Sequence, residues 1–125
     1  LIHVPEGTFL HEYLNYMEDV ECPKVYDLIC GLWVLSNALG RRVIVDRPRA
    51  PVYLNMFVIL VSESGIMRKS TSINMAKSLL SSLKNHPYLI ENKASPKEII
   101  RELHRQSENT GESAITIVAS ELAAS

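Results

Sequence analysis

The sequence predicts an α/β protein, a parallel sheet flanked by helices and preceded by an N-terminal helical segment. Three observations predict it. The second half alternates strand-like and helix-like runs in the order β-α-β-α-β, the order that a parallel sheet with crossover helices requires. Its last run, "AITIVAS" at Ala114–Ser120, is almost continuously apolar, as a strand buried on both faces is. Residues 1–40 carry two segments with helical spacing of their apolar residues.

Each element has a local reason. A helix is expected from about Phe9 to Asp19 and a second from about Pro23 to Leu39. In the second, Val25, Leu28, Ile29, Leu32, Leu35 and Leu39 form one apolar stripe, with Trp33 near it in a core or interface role. Pro23 suits the first turn and Gly40 the position just past the end. "RRVIVD" and "PVYLNMFVILV" read as strands, separated by "RPRAP", whose prolines exclude regular pairing. Ile73, Ala76, Leu80 and Leu83 then recur at helical spacing, giving a helix from about Lys69 to Leu83, and "PYLIE" follows as a short strand. Ser95, Pro96 and Glu98 make a capping-box start for a helix ending near Ser107. The chain divides into a helical segment, 1–40, and a sheet-containing core, 41–125. It opens on Leu1 and stops just after its last strand-like run, so it reads as a piece of a longer protein.

At 125 residues the chain is long enough for one core, burying roughly two thirds of its extended surface. With 46% hydrophobic and 22% charged residues it has the balance of a globular domain, not of a disordered chain. The longest apolar stretch, Leu28–Leu35, is far short of the ~20 residues that span a bilayer, and no secretory signal opens the chain, so a cytoplasmic location without a membrane partner is expected. Cys22 and Cys30 would lie roughly 12 Å apart along one helix, too far for a disulfide, and free thiols fit a reducing compartment.

The net charge of −1 conceals an uneven distribution. Residues 1–40 carry six acidic side chains against Lys24 alone. Residues 41–77 carry seven basic ones, Arg41, Arg42, Arg47, Arg49, Arg68, Lys69 and Lys77, against Asp46 and Glu63. Such a cationic island suits phosphate or nucleic-acid contacts, and equally a solvated surface.

Within it, "FVILVSESGIMRKST" (57–71) passes from an apolar strand through a small polar loop to a helix that opens with Lys-Ser. Amides at a helix start lack intrahelical acceptors, and the helix dipole adds positive potential there, so an anion is stabilised before any side chain contributes. Lys69 would supply a mobile charge to the β/γ-phosphates, Ser70 a hydroxyl to Mg²⁺, and Thr71 would lie near the α-phosphate. Ser64, Gly65 and Arg68 complete the expected phosphate-binding set. Against the pattern G-x-x-x-x-G-K-[ST], Arg68 stands at the second glycine position and Glu63 at the first, leaving Gly65 as the only glycine of the loop. A positive φ at Arg68 would cost a bulky residue roughly 1–2 kcal/mol, which favours a longer or differently shaped loop. Glu121, 52 positions after Lys69 at the end of a strand-like run, is placed to polarise a water or to hold Mg²⁺ in its outer shell.

"ALGRRVIVD", "VYLNMFVILVSESGIMRKST", "ASPKEIIREL" and "AITIVASEL" together resemble the P-loop ATPase domain of helicase-like replication proteins of phages, plasmids and mobile elements, including primase-associated ones. The resemblance spans roughly residues 9–123. Family members often carry arginine before the lysine, as in Arg68-Lys69-Ser70-Thr71, and usually glycine near the start of the loop, where this chain has Ser62 and Glu63. The resemblance implies part of a RecA-like P-loop NTPase core, ATP with Mg²⁺ as cofactors, ATP hydrolysis with Lys69 and Glu121 in catalytic roles, and DNA as the polymer acted upon. Such ATPases normally need an arginine finger, often from a neighbouring subunit, an arrangement compatible with a homo-oligomer of the full-length protein. With no such arginine identified here, turnover by this fragment is expected to be weak. A non-catalytic DNA- or protein-binding module with a degenerate loop is the rival reading, and a small-molecule P-loop kinase would need an acceptor pocket and lid that no segment supplies. His11-Glu12 begins like a zinc helix, but Asn15 occupies the second ligand position.

Overall fold

Thr8 opens the first helix because its hydroxyl accepts from the His11 amide at 3.3 Å while donating to the Pro5 carbonyl at 2.7 Å. In the computed structural model, which describes residues 3–61, 63, 68–91 and 94–119, the elements are helices α1 (Phe9–Tyr16) and α2 (Lys24–Leu39), strands β1 (Ile44–Val45) and β2 (Val52–Tyr53), helix α3 (Lys69–Ser82), strand β3 (Tyr88–Glu91), helix α4 (Pro96–Thr110) and strand β4 (Ile115–Val118). The protein is thus mixed α/β, with one antiparallel and one parallel two-stranded sheet among the described residues. It forms two compact units, Leu1–Lys84 and Asn85–Ser125.

In the first unit α2 packs against both α1 and α3. Its buried side is not the expected leucine stripe. Asp27, Cys30, Gly31 and Val34, spaced three or four residues apart, are the buried face, while Val25 is 66% exposed and Leu28, Ile29, Leu32 and Leu35 are half-buried. The reason is close approach: small residues let α1 come near, and the remaining apolar residues surround that seam. Pro23 sits one residue ahead of the helix, its carbonyl accepting from the Tyr26 amide at 2.9 Å. Cys22 therefore lies outside α2, and the separation argued along a single helix does not apply; both cysteines are free thiols. Tyr13, Met17, Cys30, Val34, Ala76 and Leu80 make up the apolar core.

The long run expected as one strand from Pro51 to Val61 pairs only at Val52 and Tyr53, antiparallel to β1, in the register Ile44↔Tyr53 and Val45↔Val52. Leu54–Val61 belongs to neither sheet. Side chains of α2 satisfy its ends instead of ladder bonds: the Ser36 hydroxyl donates to the Leu54 carbonyl, and the Tyr26 hydroxyl to the Val61 carbonyl at 2.9 Å. Exposure still alternates as in an extended chain, with Phe57 and Val61 out and Val58 and Leu60 half-buried.

The second unit is a β-α-β arrangement in which β3 and β4 pair in parallel from Tyr88↔Ile115 to Glu91↔Val118, with α4 packed against β4. The capping box is present in full, the Glu98 amide donating to the Ser95 hydroxyl at 3.2 Å and the Ser95 amide to the Glu98 carboxylate at 2.7 Å. These bonds also hold the Glu98 carboxyl below its ordinary range. Helix α4 runs to Thr110, further than expected, and ends at Gly111, whose φ of 80° suits glycine. The expectation that β4 is buried on both faces fails. Thr116 is buried but Ile117 is 48% exposed, because a two-stranded sheet with one helix against it has one covered face.

Candidate phosphate site at the start of helix α3

Helix α3 begins at Lys69, where the spacing of its apolar residues placed it, and its cap residue is Arg68. Cap residues usually take extended backbone and offer a short polar side chain. Arg68 does neither: it has φ 44° and ψ 36°, in the left-handed region, and makes no side-chain capping bond. Among the described residues it is the one non-glycine with positive φ. The strain foreseen at this position is therefore present, and for an arginine it costs roughly 1–2 kcal/mol.

What holds Arg68 there comes from the segment leading into α2. The Glu21 carboxylate meets its guanidinium at 3.0 Å, and the Cys22 thiol donates to its carbonyl at 3.7 Å. The same carbonyl accepts from the amides of Thr71 at 3.0 Å and Ser72 at 3.3 Å. A third tie is buried: the Ser72 hydroxyl donates to Oδ1 of Asp27 on α2 at 3.3 Å. The first turn of α3 is thus fixed to the start of α2 from outside and from beneath.

This anchoring leaves the expected ligand groups at one place. Lys69 is half-buried, Ser70 exposed and Thr71 half-buried, in consecutive positions of the first turn. Among the described residues, nothing accepts from the amides of Lys69 and Ser70. The first turn thus carries the amides and side chains of Lys69 and Ser70 in consecutive positions at the positive end of the helix dipole, donor types suited to an anion carrying several oxygens. The Thr71 amide is already engaged by Arg68, and the Arg68 guanidinium by Glu21. Glu63 is exposed. Ser64 and Gly65, and Glu121 beyond β4, lie outside the described residues, so the expected loop residues and the expected water- or metal-directed carboxylate are not located.

Asp27 was not foreseen as a site residue. Its signal in the sequence is a lone carboxylate among the apolar residues that follow Lys24 at the start of α2, "KVYDLIC". It is 4% exposed, and burial raises its pKa against the opposing hydrogen bond from Ser72. A raised acid binds its proton more tightly in the folded state, so the stability it lends is complete below the unfolded value and is lost as pH rises through the folded one. The isostere Asp27→Asn removes that loss. Urea unfolding should show the variant gaining on the wild type as pH rises above about 4, the ordinary range of an unfolded aspartate. A gap that stays constant, or closes, would show that Asp27 is not a burdened carboxylate.

Compared with protein-family models, with curated proteins and with solved structures, the chain matches none. Among the described residues no helix is long and apolar enough to cross a membrane.

Proposed function

We propose that the start of α3 binds the phosphates of Mg·ATP, and that the chain is part of an ATP-hydrolysing domain of a helicase-like DNA replication protein. The observation that carries the proposal is Arg68, held in left-handed backbone immediately before Lys69. Strain of this kind is retained where the surrounding structure enforces it, and it commonly marks ligand-binding loops. Alternating backbone conformation at a turn directs successive amides to one side, the arrangement that forms an anion nest.

In this reading the residues present fit the group. The amides of Lys69 and Ser70 bind phosphate oxygens, the Lys69 ammonium neutralises their charge, and the Ser70 hydroxyl is a ligand for Mg²⁺. Bound Mg·ATP would supply the phosphoanhydride bond whose cleavage passes the γ-phosphoryl group to water and releases ADP. Asp27 and Ser72 position the turn without touching the nucleotide. Glu121 keeps its proposed role toward the water or the metal.

The non-catalytic alternative is favoured by one observation, the Glu21–Arg68 ion pair, which occupies a cation next to the site. Titration of ¹⁵N-labelled protein with Mg·ATP separates the readings. Saturable shifts of the Lys69 and Ser70 amides, larger than those of α4, are expected. Amide positions that stay unchanged at millimolar nucleotide would reject the ATP reading in favour of a binding module.

A further inference from the structure

Residues 41–53 are exposed at every position, although they include the paired strands β1 and β2. The ribbon carries Arg41 and Arg42 at its base and Arg47 and Arg49 in the connection between its strands, against Asp46 as its one acid. Every cation in it is an arginine. Among the described residues Arg42, Arg47 and Arg49 take part in no ion pair. The Arg41 guanidinium lies 4.4 Å over the ring of Tyr53. Val43, Ile44, Val45, Val52 and Tyr53 are 38–49% exposed, so an apolar surface with an aromatic ring lies among the arginines. Pro48 and Pro51 restrict the connection, which lowers the entropy lost when its arginines are ordered by a ligand.

We infer that this ribbon is a contact surface for single-stranded nucleic acid. Planar guanidinium groups bind phosphate through paired hydrogen bonds and stack on bases, which ammonium groups do not. Single-strand binding combines such cations with an aromatic or apolar platform on which unpaired bases lie, and both are present in one ribbon. A duplex hides its base faces and would leave the apolar part of the surface unused. A membrane surface is the rival for a basic and apolar patch, and the absence of lysine and tryptophan from residues 41–53 favours nucleic acid. The inference does not depend on nucleotide binding at α3.

The test is fluorescence anisotropy of a labelled oligothymidylate with the 125-residue chain, without ATP, across a salt series. Binding that weakens steeply with salt is expected. In the variant R47A/R49A the slope of log affinity against log salt should shrink by ~1.4, the value for two lost phosphate contacts on a single strand. The variant R47K/R49K, which keeps the charge, should retain the slope. No binding at low salt, or an unchanged slope in R47A/R49A, overturns the inference. Binding to phosphatidylserine vesicles that R47A/R49A abolishes, with oligothymidylate binding unaltered, also overturns it and assigns the ribbon to a membrane surface.

Discussion

Gly31→Val is expected to lower the unfolding free energy by about 3 kcal/mol, the upper part of the range for overpacking. A Cβ at Gly31 would sit 2.8 Å from Leu10 Cδ1 and 2.8 Å from Tyr13 Cδ1, well inside the ~3.5–4.0 Å at which carbon atoms pack. Leu10 is half-buried and its methyl can turn aside. Tyr13 is 2% exposed, and its ring cannot yield without displacing α1. Valine adds two further methyls to this clash and gains little helix propensity over glycine, whereas Gly31→Ala brings the same Cβ contact without them and recovers about 1 kcal/mol of propensity, so its loss should be the smaller of the two. Urea denaturation of the three proteins measures the order. A valine variant as stable as the wild type would mean that α1 does not pack on α2 at this seam. The consequence reaches the site, because α2 carries Asp27 and follows Glu21 and Cys22 after Pro23.

Local chemistry was legible in the sequence and long-range packing was not. The Ser95–Glu98 box and the start of α3 depend on neighbours within a turn, and both stand where residue spacing put them. The parallel pairing of β3 with β4 followed from their alternation with α4. The buried face of α2 was hidden because that helix is apolar on several sides, and its seam was set by a glycine, a cysteine and an aspartate that only packing identifies. Leu54–Val61 reads as a strand by composition, yet the carbonyls at its two ends are met by Ser36 and Tyr26 of α2, partners far back in the chain.

The site divides the same way. Arg68, Lys69, Ser70 and Thr71 are adjacent in sequence and were named from it. Glu21, Cys22 and Asp27, which hold that turn in place, are more than forty residues away and carry no motif. The left-handed Arg68 was foreseen as a strain, and the foreseen consequence was a differently shaped loop. The helix cap instead accepts the strain, with its side chain and carbonyl both engaged.

The second large effect concerns Lys69. Its ammonium is expected to make a charge-assisted hydrogen bond to phosphate, worth about 1.5–3 kcal/mol, so Lys69→Ala should weaken nucleotide affinity by about 10- to 100-fold. The residue lies in the first turn, where alanine is well tolerated by the helix, so the fold should survive. Isothermal calorimetry of Mg·ATP binding to the wild type and to Lys69→Ala tests the phosphate role most directly. We predict saturable binding by the wild type and a dissociation constant raised at least tenfold in the variant. Equal constants in the two proteins, or no binding heat from the wild type, would contradict it.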